Sequence, residues 1–534
     1  MARVADSIVR RLLDAGVHSM FGVPGGGSNL DLIAAAGRAG LPFVLTSTET
    51  AGAIAALAQA EVTGRIGACL TTLGPGAASV VNGVACAYLD RVPIVVFTDS
   101  HAAGARSAFE HQRLDHVALL RPVTKSSESL TADSARQALM RALHLATDRR
   151  PGPVHLDCPG DIAGSTRADG FDVATFDSEE RMPSPEDRSR LETLLGAARK
   201  PLLLVGLGAR GPANAAAIRA LCAARDIPAM VTYKAKGVVA DDDEWFAGVF
   251  TNAAIEQQVI DESDLLIGIG LDPVELIPRA WTRPQPIVSC NPWRVEDGHV
   301  PFDVQLIAAV TASVEWIENA LPPSDWDSRR VRELVDAQRR RLDVPGSGFT
   351  AQRVVTIAAE RLAPIVSRVT VDAGAHMFPA TMLWPVSEPN GMLISNGLST
   401  MGFALPAAIG AALVERDRPV AALTGDGGLL MCAGELLTAA REHLPVMTIV
   451  FSDASLSLIE IKQQARGLAP DGVALGAIDW LGLARSFGVA AWTATNDGEL
   501  DRAIEEALAT PGPSLIEAKI DRTNYGAMLR AVRG

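Results

Sequence analysis

Short apolar runs alternate with amphipathic helical patterns in three successive regions of this 534-residue chain. Each region contains four runs of the kind that form buried strands, at 43–45, 67–70, 94–97 and 154–156, then 201–205, 228–231, 265–269 and 287–289, then 369–371, 420–423, 446–451 and 514–516. Apolar runs separated by helices are typical of parallel strands that are covered on both faces. The sequence therefore predicts an α/β protein made of three doubly wound parallel-sheet domains.

Two polar stretches divide the three regions. Residues 164–187 are polar and acidic, and residues 322–348 combine Pro-Pro-Ser-Asp, a charged helical pattern and Val-Pro-Gly-Ser-Gly. Such compositions are typical of linkers between domains. We therefore expect domains at residues 1–165, 188–322 and 345–534, and three domains also agree with the length of the chain.

Charge and composition argue against several classes of partner. The net charge of −14 disfavours nucleic acid and anionic membrane, because both bind basic surfaces. No segment offers about 18 uninterrupted apolar residues, and residues 1–17 lack the apolar core of a signal peptide. The six cysteines are widely spaced, which is typical of reduced core residues. We expect a cytoplasmic protein that binds neither nucleic acid nor membrane.

Two acidic residues follow neighbouring predicted strands of the last region. Asp426 comes after the strand at 420–423, and Asp453 comes after the strand at 446–451. Parallel strands that adjoin end at the same edge of a sheet, so the two carboxylates are expected to meet there and to suit Mg²⁺. The helical pattern at 429–441 can aim its first amides at an anion, and three glycines let phosphate approach the backbone: Gly425, Gly427 and Gly428. A plain turn is the alternative for this segment.

The same residues resemble the metal-binding signature of thiamine diphosphate enzymes of the acetolactate synthase, benzoylformate decarboxylase and pyruvate oxidase group. In that family a Gly-Asp-Gly turn is followed, after a helix-length gap, by Asn-Asn, where this chain has Ser452-Asp453. The resemblance implies that Asp426, the Asp453 side chain and the Ser455 backbone carbonyl hold Mg²⁺, and that Leu456 contacts the cofactor. Aspartate in place of asparagine keeps an oxygen ligand.

Glu49 matches the glutamate that characterises the first domain of this family. In the family this carboxylate hydrogen-bonds the aminopyrimidine ring, which then removes the proton from the thiazolium carbon. The resemblance implies the same catalytic role for Glu49. The alternative from local sequence is that Glu49 merely caps the helix predicted at 51–62.

Further matches to the family occur in order along the chain. In the family the residue at the position of Met401 supports the bent cofactor from below, whereas an ordinary core methionine is the alternative. His376 matches the family's histidine that contacts the diphosphate, and the alternative is a surface loop residue. The additional cofactor contacts that the resemblance implies are Pro24, Gly25, Asn82, Ala375, His376 and Met401.

The resemblance also has a consequence for quaternary structure. The matching glutamate lies in the first domain, whereas the metal ligands lie in the third. In this family such sites are assembled between two subunits, so a monomer would be inactive. We therefore expect a homodimer or a homotetramer.

His111 and Gln112 fall where acetolactate synthases carry Phe-Gln-Glu. Gln112 is therefore a candidate active-site amide. His111 is a candidate acid or base, with a solvated loop histidine as the alternative. The chain departs from biosynthetic acetohydroxyacid synthases at Gly160, where those enzymes usually have lysine, and at residues 248–252, which lack the glycine-rich loop that accompanies bound FAD. FAD is therefore doubtful.

These features favour a flavin-independent enzyme that decarboxylates a 2-oxo acid and joins the resulting enamine to a second carbonyl, an aldehyde or a ketone. Decarboxylation without ligation, as in benzoylformate decarboxylase, is the first alternative, and carbon–carbon lyase or hydrolase chemistry is the second. A catalytically inactive regulatory subunit is the alternative from a different class. The presence of Glu49, Asp426 and Asp453 argues against it.

Overall fold

The computed structural model describes residues 2–102, 104–105, 110–167, 184–296 and 298–534. Within these residues, three six-stranded parallel sheets flanked by helices follow one another along the chain. The prediction of three parallel α/β domains is confirmed. Most of the linker predicted at 164–187 lies outside the described residues. No helix in the described ranges is both long enough and apolar enough to cross a membrane.

The first domain has its sheet in the strand order β3-β2-β4-β5-β7-β6, and a two-residue pairing joins β1 to β8. The strands are β1 (Ala2–Arg3), β2 (Met20–Val23), β3 (Phe43–Leu45), β4 (Gly67–Thr71), β5 (Ile94–Ser100), β6 (Ser126–Ser129), β7 (Val154–Pro159) and β8 (Thr166–Arg167). The helices are α1 (Val4–Asp14), α2 (Ser28–Ala39), α3 (Glu49–Thr63), α4 (Pro75–Ser79), α5 (Val81–Leu89), α6 (His116–Leu120) and α7 (Ala135–Thr147).

The middle domain has the strand order β11-β10-β9-β12-β13-β14. Its strands are β9 (Pro201–Val205), β10 (Ala229–Val231), β11 (Phe246–Val249), β12 (Leu265–Ile269), β13 (Ile287–Asn291) and β14 (Val304–Ile307). Its helices are α8 (Pro185–Ala197), α9 (Pro212–Arg225), α10 (Gln257–Asp261) and α11 (Val310–Ala320), and α12 (Ser328–Leu342) leads to the third domain.

The third domain has the strand order β16-β15-β17-β18-β20-β19. Its strands are β15 (Arg368–Val371), β16 (Met392–Ile394), β17 (Val420–Gly425), β18 (Val446–Ser452), β19 (Ala490–Ala494) and β20 (Ser514–Lys519). Its helices are α13 (Ala351–Leu362), α14 (Met377–Leu383), α15 (Ala404–Val414), α16 (Asp426–Cys432), α17 (Glu435–Arg441), α18 (Ser457–Ala465), α19 (Trp480–Ser486), α20 (Asp497–Ala509) and α21 (Tyr525–Arg533).

Helices α3 and α15 join the first and third domains of the same chain. Both helices are rich in alanine and almost entirely buried, and their residues belong to a single hydrophobic core. Small side chains let the two backbones approach closely, since a Cβ atom at Gly410 would lie only 3.0 Å from Ala55 Cα. The first and third sheets therefore share a core across this helix pair.

Replacing Gly410 by Ala is expected to lower the free energy of unfolding by about 1–3 kcal/mol, because the new methyl group would press on the α3 backbone. Gly37 in α2 is a matched control, since a Cβ atom there meets nothing within 4 Å. Gly37→Ala should be neutral or stabilise the helix by about 0.5–1 kcal/mol. Thermal unfolding of the two variants measures the difference, and equal midpoints would contradict the described helix contact.

Candidate functional site

Asp426 and Asp453 meet at the carboxyl edge of the third sheet, as their positions after β17 and β18 predict. Asp426 Oδ1 accepts a hydrogen bond from the Gly427 N–H at 2.8 Å. Its Oδ2 accepts from the N–H groups of Asp453 at 3.1 Å and Ala454 at 2.7 Å. The Asp426 carboxylate therefore ties the start of α16 to the end of the neighbouring strand β18.

The prediction of one helix at 429–441 was wrong in its extent. The chain becomes helical at Asp426, and it forms two short helices, α16 and α17, in place of one. The interruption includes Gly434, where a Cβ atom would lie 2.9 Å from Ser47 Oγ of the first domain. Gly427 and Gly428 thus belong to the first turn of α16 and do not form a turn before it.

Burial makes the charged forms of both carboxylates unfavourable. It raises the pKa of Asp426, and it raises the pKa of Asp453 to about 6, an effect to which the neighbouring Asp426 charge adds. Ser457 Oγ opposes this shift by donating to Asp453 Oδ2 at 2.5 Å. A cation would relieve the cost of keeping both carboxylates ionised.

The donor set at this edge suits a hard cation that takes few protein side chains. Within the described residues, no group of three or more His, Cys, Asp or Glu side chains is placed to hold a metal ion. A cation at Asp426 and Asp453 would therefore need carbonyl or phosphate oxygens as further ligands. Mg²⁺ is commonly bound in this way, and the Ser455 carbonyl is the candidate from the chain itself.

Met401 and Leu456 place apolar side chains against Gly427. A Cβ atom at Gly427 would lie 2.6 Å from Leu456 Cδ2 and 3.3 Å from Met401 Cε. Met401 is half-buried, so its side chain retains an accessible surface. The carboxylate pair and these two apolar side chains therefore flank one glycine-lined edge.

Asp372 holds the Met401 segment in place, and sequence reasoning did not single it out. Its Oδ1 accepts a hydrogen bond from the Gly402 N–H at 3.0 Å, and its Oδ2 accepts from Thr424 Oγ1 at 3.0 Å. Burial raises the pKa of this carboxyl to about 6. Asp372 directly follows β15. Asp426 was identified as an acidic residue after a predicted strand, and the same pattern could have identified Asp372.

His376 is buried beside Ala375, which is also buried, so the alternative of a surface loop histidine is wrong. Its ring stacks on Phe451, with 5.0 Å between the ring centroids. Burial lowers the pKa of His376 to about 4, which keeps the imidazole neutral. Its Nε2 atom is buried without a hydrogen-bond partner among the described residues. Such an atom is expected to pair with a ligand or a water.

Glu49 is the first residue of α3, and the helix cap is supplied by its neighbour. Thr48 Oγ1 accepts the Ala51 N–H at 3.2 Å, so capping does not require the Glu49 carboxylate. No hydrogen bond from the described part of the chain reaches that carboxylate, which is half-buried. Glu435 of the third domain fixes the approach to α3, because its Oε1 accepts from the Ser47 N–H at 2.8 Å.

The other candidates from the first domain lie along the carboxyl edge of its sheet or at the face of the third domain. Pro24 is exposed, whereas Gly25 is buried beside Thr72, whose Cβ atom would be 2.8 Å from a Cβ atom at Gly25. The Asn82 Oδ1 atom accepts a hydrogen bond from Thr400 Oγ1 at 2.9 Å. Asn82 therefore contacts the residue next to Met401 in its own chain.

Gln112 and His111 lie in the exposed loop that precedes α6. Gln112 has a φ of +56° and packs on the loop after β4, since a Cβ atom at Gly74 would lie 2.9 Å from Gln112 Cβ. The first turn of α4, which directly follows this loop, reaches Glu49, because a Cβ atom at Gly76 would lie 2.9 Å from Glu49 Oε1. The His111 side chain is exposed, which agrees with the alternative of a solvated loop residue.

The described residues thus form two groups. Glu49 and Gln112 adjoin one loop of the first domain, and Asp426, Asp453 and Met401 adjoin one edge of the third. No described hydrogen bond joins Glu49 to either of the two aspartates.

Comparison with known proteins identifies the family to which this chain belongs. The family models of thiamine pyrophosphate enzymes match in order: the N-terminal TPP binding domain at residues 2–119, the central domain at 189–317 and the C-terminal TPP binding domain at 372–518. An acetolactate synthase large subunit of Parasynechococcus marenigrum is 30% identical over 551 residues, which cover 96% of this chain and 87% of that protein. This chain belongs to the thiamine pyrophosphate enzyme family. The resemblance seen in its sequence is confirmed, and the protein is an enzyme that depends on thiamine pyrophosphate, the same compound as thiamine diphosphate.

Two further relatives of this thiamine pyrophosphate enzyme carry different names. A catabolic acetolactate synthase of Raoultella terrigena is 29% identical over 541 residues, with 97% of this chain and 95% of that protein covered. A probable 2-ketoarginine decarboxylase of Pseudomonas aeruginosa is 28% identical over 528 residues, with 96% and 93% covered. Both matches span the three domains, so the similarity extends beyond the cofactor-binding segments.

Proposed function

We propose that this enzyme uses thiamine diphosphate and Mg²⁺, without flavin, to decarboxylate a 2-oxo acid and to join the remaining unit to an aldehyde or ketone. The observation that carries the proposal is the convergence of Asp426 and Asp453 with Met401 and Leu456 at one glycine-lined edge. A carboxylate pair that would hold Mg²⁺ against a diphosphate, and an apolar end that would hold two rings, suit this cofactor. We further propose a cytoplasmic location, because the six free, buried cysteines suit a reducing compartment.

The residues at the third-domain edge would divide the cofactor between them. Asp426, Asp453 and the Ser455 carbonyl would hold Mg²⁺, and Met401 and Leu456 would support the rings. The groups that would face the diphosphate are the His376 Nε2 atom and the backbone of Ala375, Gly425, Gly427 and Gly428. When bound, thiamine diphosphate supplies carbanion chemistry that amino-acid side chains cannot.

Residues of the first domain would act on the ring and the substrate. The Glu49 carboxylate is not used as the helix cap, so it is available to exchange a proton with the aminopyrimidine. The Gln112 amide would orient the 2-oxo acid, and His111 at the exposed rim would act as an additional acid or base. Pro24, Gly25 and Asn82 would complete the wall of the first-domain part of the site.

We also propose that a second subunit binds at an exposed apolar surface. Leu430, Met431 and Leu437 on α16 and α17 are 45%, 59% and 45% exposed, and Leu45 of the first domain is 41% exposed. Large exposed apolar side chains that lie together are typical of subunit interfaces. Because Met431 adjoins Gly402 of the Met401 segment, a second copy seated on this surface would also cover the cofactor edge. A homodimer, or a homotetramer built from it, is the proposed assembly.

The proposed reaction is tested by identifying its products. Purified protein with thiamine diphosphate and Mg²⁺ is supplied with pyruvate, benzoylformate and longer 2-oxo acids, and CO₂ release is compared with the carbon skeleton of each product. Ligated 2-hydroxy ketones or 2-hydroxy-2-methyl-3-oxo acids are expected. Aldehydes alone would favour the second candidate, simple decarboxylation, which the similarity to the 2-ketoarginine decarboxylase supports. No turnover of any 2-oxo acid by protein that binds the cofactor would contradict both candidates.

Met401→Ala is expected to lower kcat by about a hundredfold, because loss of the side chain beside Gly427 lets the reacting groups shift out of alignment. Met401→Leu is the matched control, since it keeps a large apolar side chain and should retain most of the activity. Steady-state kinetics with saturating cofactor measure both variants. Equal activity of the Ala and Leu variants would show that Met401 is an ordinary packing residue.

A further inference from the structure

We infer that His116 is a positioning residue of the active site, which fixes the loop at 73–76, whose last two residues begin α4, through a hydrogen bond to its backbone. This loop adjoins both Glu49 and Gln112. The inference rests on the proposed function, because it links His116 to the reaction through those two side chains. His116 itself lies behind the loop and is not a candidate catalytic residue.

Both ring nitrogens of His116 are engaged, and the side chain is buried. The Gly74 N–H donates to Nε2 at 3.1 Å, so the ring proton must be on the other nitrogen. Nδ1 then donates to Asp157 Oδ1 at 3.0 Å. The two bonds fix both the orientation and the tautomer of the ring. The ring therefore transmits the position of Asp157 to the Gly74 amide.

Asp157 is a rigid anchor for this ring. It is buried at the carboxyl end of β7, and it accepts hydrogen bonds from Thr98 Oγ1 at 2.9 Å, Ser100 Oγ at 2.9 Å and Ser129 Oγ at 3.1 Å. Burial alone would raise the pKa of Asp157, but hydrogen bonds, of which the one from His116 has the largest effect, lower it overall. Asp157 thus links strands β5, β6 and β7 to the ring of His116.

The loop that His116 holds is shaped for contact on two sides. Gly74 has a φ of +64°, and its position leaves no room for a side chain, because Gln112 Cβ and the Gln112 carbonyl oxygen would each lie 2.9 Å from a Cβ atom there. Two residues further on, Gly76 abuts Glu49 Oε1. A shift of this loop would therefore displace both proposed catalytic side chains together.

His155 provides a matched control within the same network. It is also buried, and its Nε2 atom is 2.8 Å from Thr98 Oγ1 and its Nδ1 atom is 2.7 Å from Ser127 Oγ. Burial lowers the pKa of His155 to about 3, so this ring is also neutral. In the described chain His155 makes no hydrogen bond to the loop at 73–76.

The test compares His116→Asn, His116→Gln and His155→Asn. An asparagine at 116 can still donate to Asp157 but is too short to reach Gly74, whereas the longer glutamine can accept the Gly74 N–H. The first readout is amide hydrogen exchange, by mass spectrometry, of the peptide covering 71–80 in the cofactor-free protein. Exchange in this peptide should be about tenfold faster in His116→Asn and close to wild type in the other two variants.

The second readout is the exchange of the thiazolium C2 proton, with kcat and KM, in protein loaded with thiamine diphosphate and Mg²⁺. His116→Asn should lower the C2 exchange rate and kcat by about tenfold or more, with KM within about twofold of wild type. His116→Gln should restore both, and His155→Asn should leave both unchanged.

Wild-type loop exchange in His116→Asn, or equal effects of the two histidine→Asn changes, would overturn the inference. Should His116→Asn fail to fold, His116→Gln decides alone: retained loop protection supports the inference, and lost protection overturns it. Failure of the proposed function has a different signature. Wild-type protein would then neither exchange the C2 proton nor turn over any 2-oxo acid, while the amide measurement on cofactor-free protein would still test His116.

Discussion

Glu49→Gln is expected to slow turnover of the 2-oxo acid by about a hundredfold to ten-thousandfold, the usual effect of removing a general acid or base. The glutamine keeps the size of the side chain but cannot exchange a proton with the cofactor. Exchange of the C2 proton should fall in parallel, whereas affinity for thiamine diphosphate should stay close to wild type. Solvent deuterium exchange followed by NMR, with calorimetry for cofactor binding, measures the two effects separately.

Thr48→Val is the matched control for Glu49→Gln. It removes the Thr48 hydroxyl that accepts the Ala51 N–H, so it should cost about 1 kcal/mol of stability as a lost helix cap. Proton exchange on the cofactor should not change. If Glu49→Gln instead lowered stability like Thr48→Val and kept full exchange activity, Glu49 would be a helix-end residue and the proton role would be wrong.

Asp426→Asn is expected to weaken Mg²⁺-dependent retention of thiamine diphosphate by about a hundredfold or more, because even outer-shell partners of metal ligands contribute tenfold to a hundredfold. The change removes one charge from the carboxylate pair. It also leaves an amide at an edge where the N–H groups of Asp453 and Ala454 need an acceptor. Calorimetric titration of the cofactor at several Mg²⁺ concentrations measures the loss.

Asp372→Asn is the control for Asp426→Asn. Asp372 is buried near the same edge, but its carboxylate accepts its described hydrogen bonds from the Ala373 N–H, the Met401 segment and Thr424, and it is not a proposed metal ligand. This variant should lose stability and kcat while its Mg²⁺ dependence stays that of wild type. Identical Mg²⁺ titrations for the wild type and Asp426→Asn would place the metal elsewhere.

The strands that the sequence revealed are mostly those covered on both faces. Five of the six strands that it missed in the three sheets lie at sheet edges: β6, β11, β14, β16 and β19. Strand β6 reads Ser-Ser-Glu-Ser and is half-buried throughout, and β19 is half-buried at four of its five positions. The edge strands β6, β14 and β19 are only partly buried, so they need no continuous apolar run, whereas β11 and β16 are fully buried but only four and three residues long. The sixth, β2, is central but contains Gly22, which weakens the strand pattern.

The candidate site was predictable where its chemistry follows strand ends. Asp426 and Asp453 could be found because each lies within three residues of the end of an apolar run, and the parallel sheet brings them together. Glu435 and His116 could not be found in this way. Glu435 contacts Ser47, 388 residues away, and His116 contacts Asp157, 41 residues away, so their roles depend on tertiary packing that no local pattern encodes.

We propose that Glu49 of one subunit and Asp426 of another serve the same cofactor. Co-expression of Glu49→Gln and Asp426→Asn chains with two different tags, followed by two-step purification, gives dimers that contain one chain of each kind. If sites lie between subunits, one site of each such dimer is intact and the other carries both changes. The mixed dimer should then recover about half of the wild-type activity, although each parent variant is nearly inactive. A mixed dimer that is as inactive as its parents would show that Glu49 and Asp426 do not serve one site across the subunit boundary.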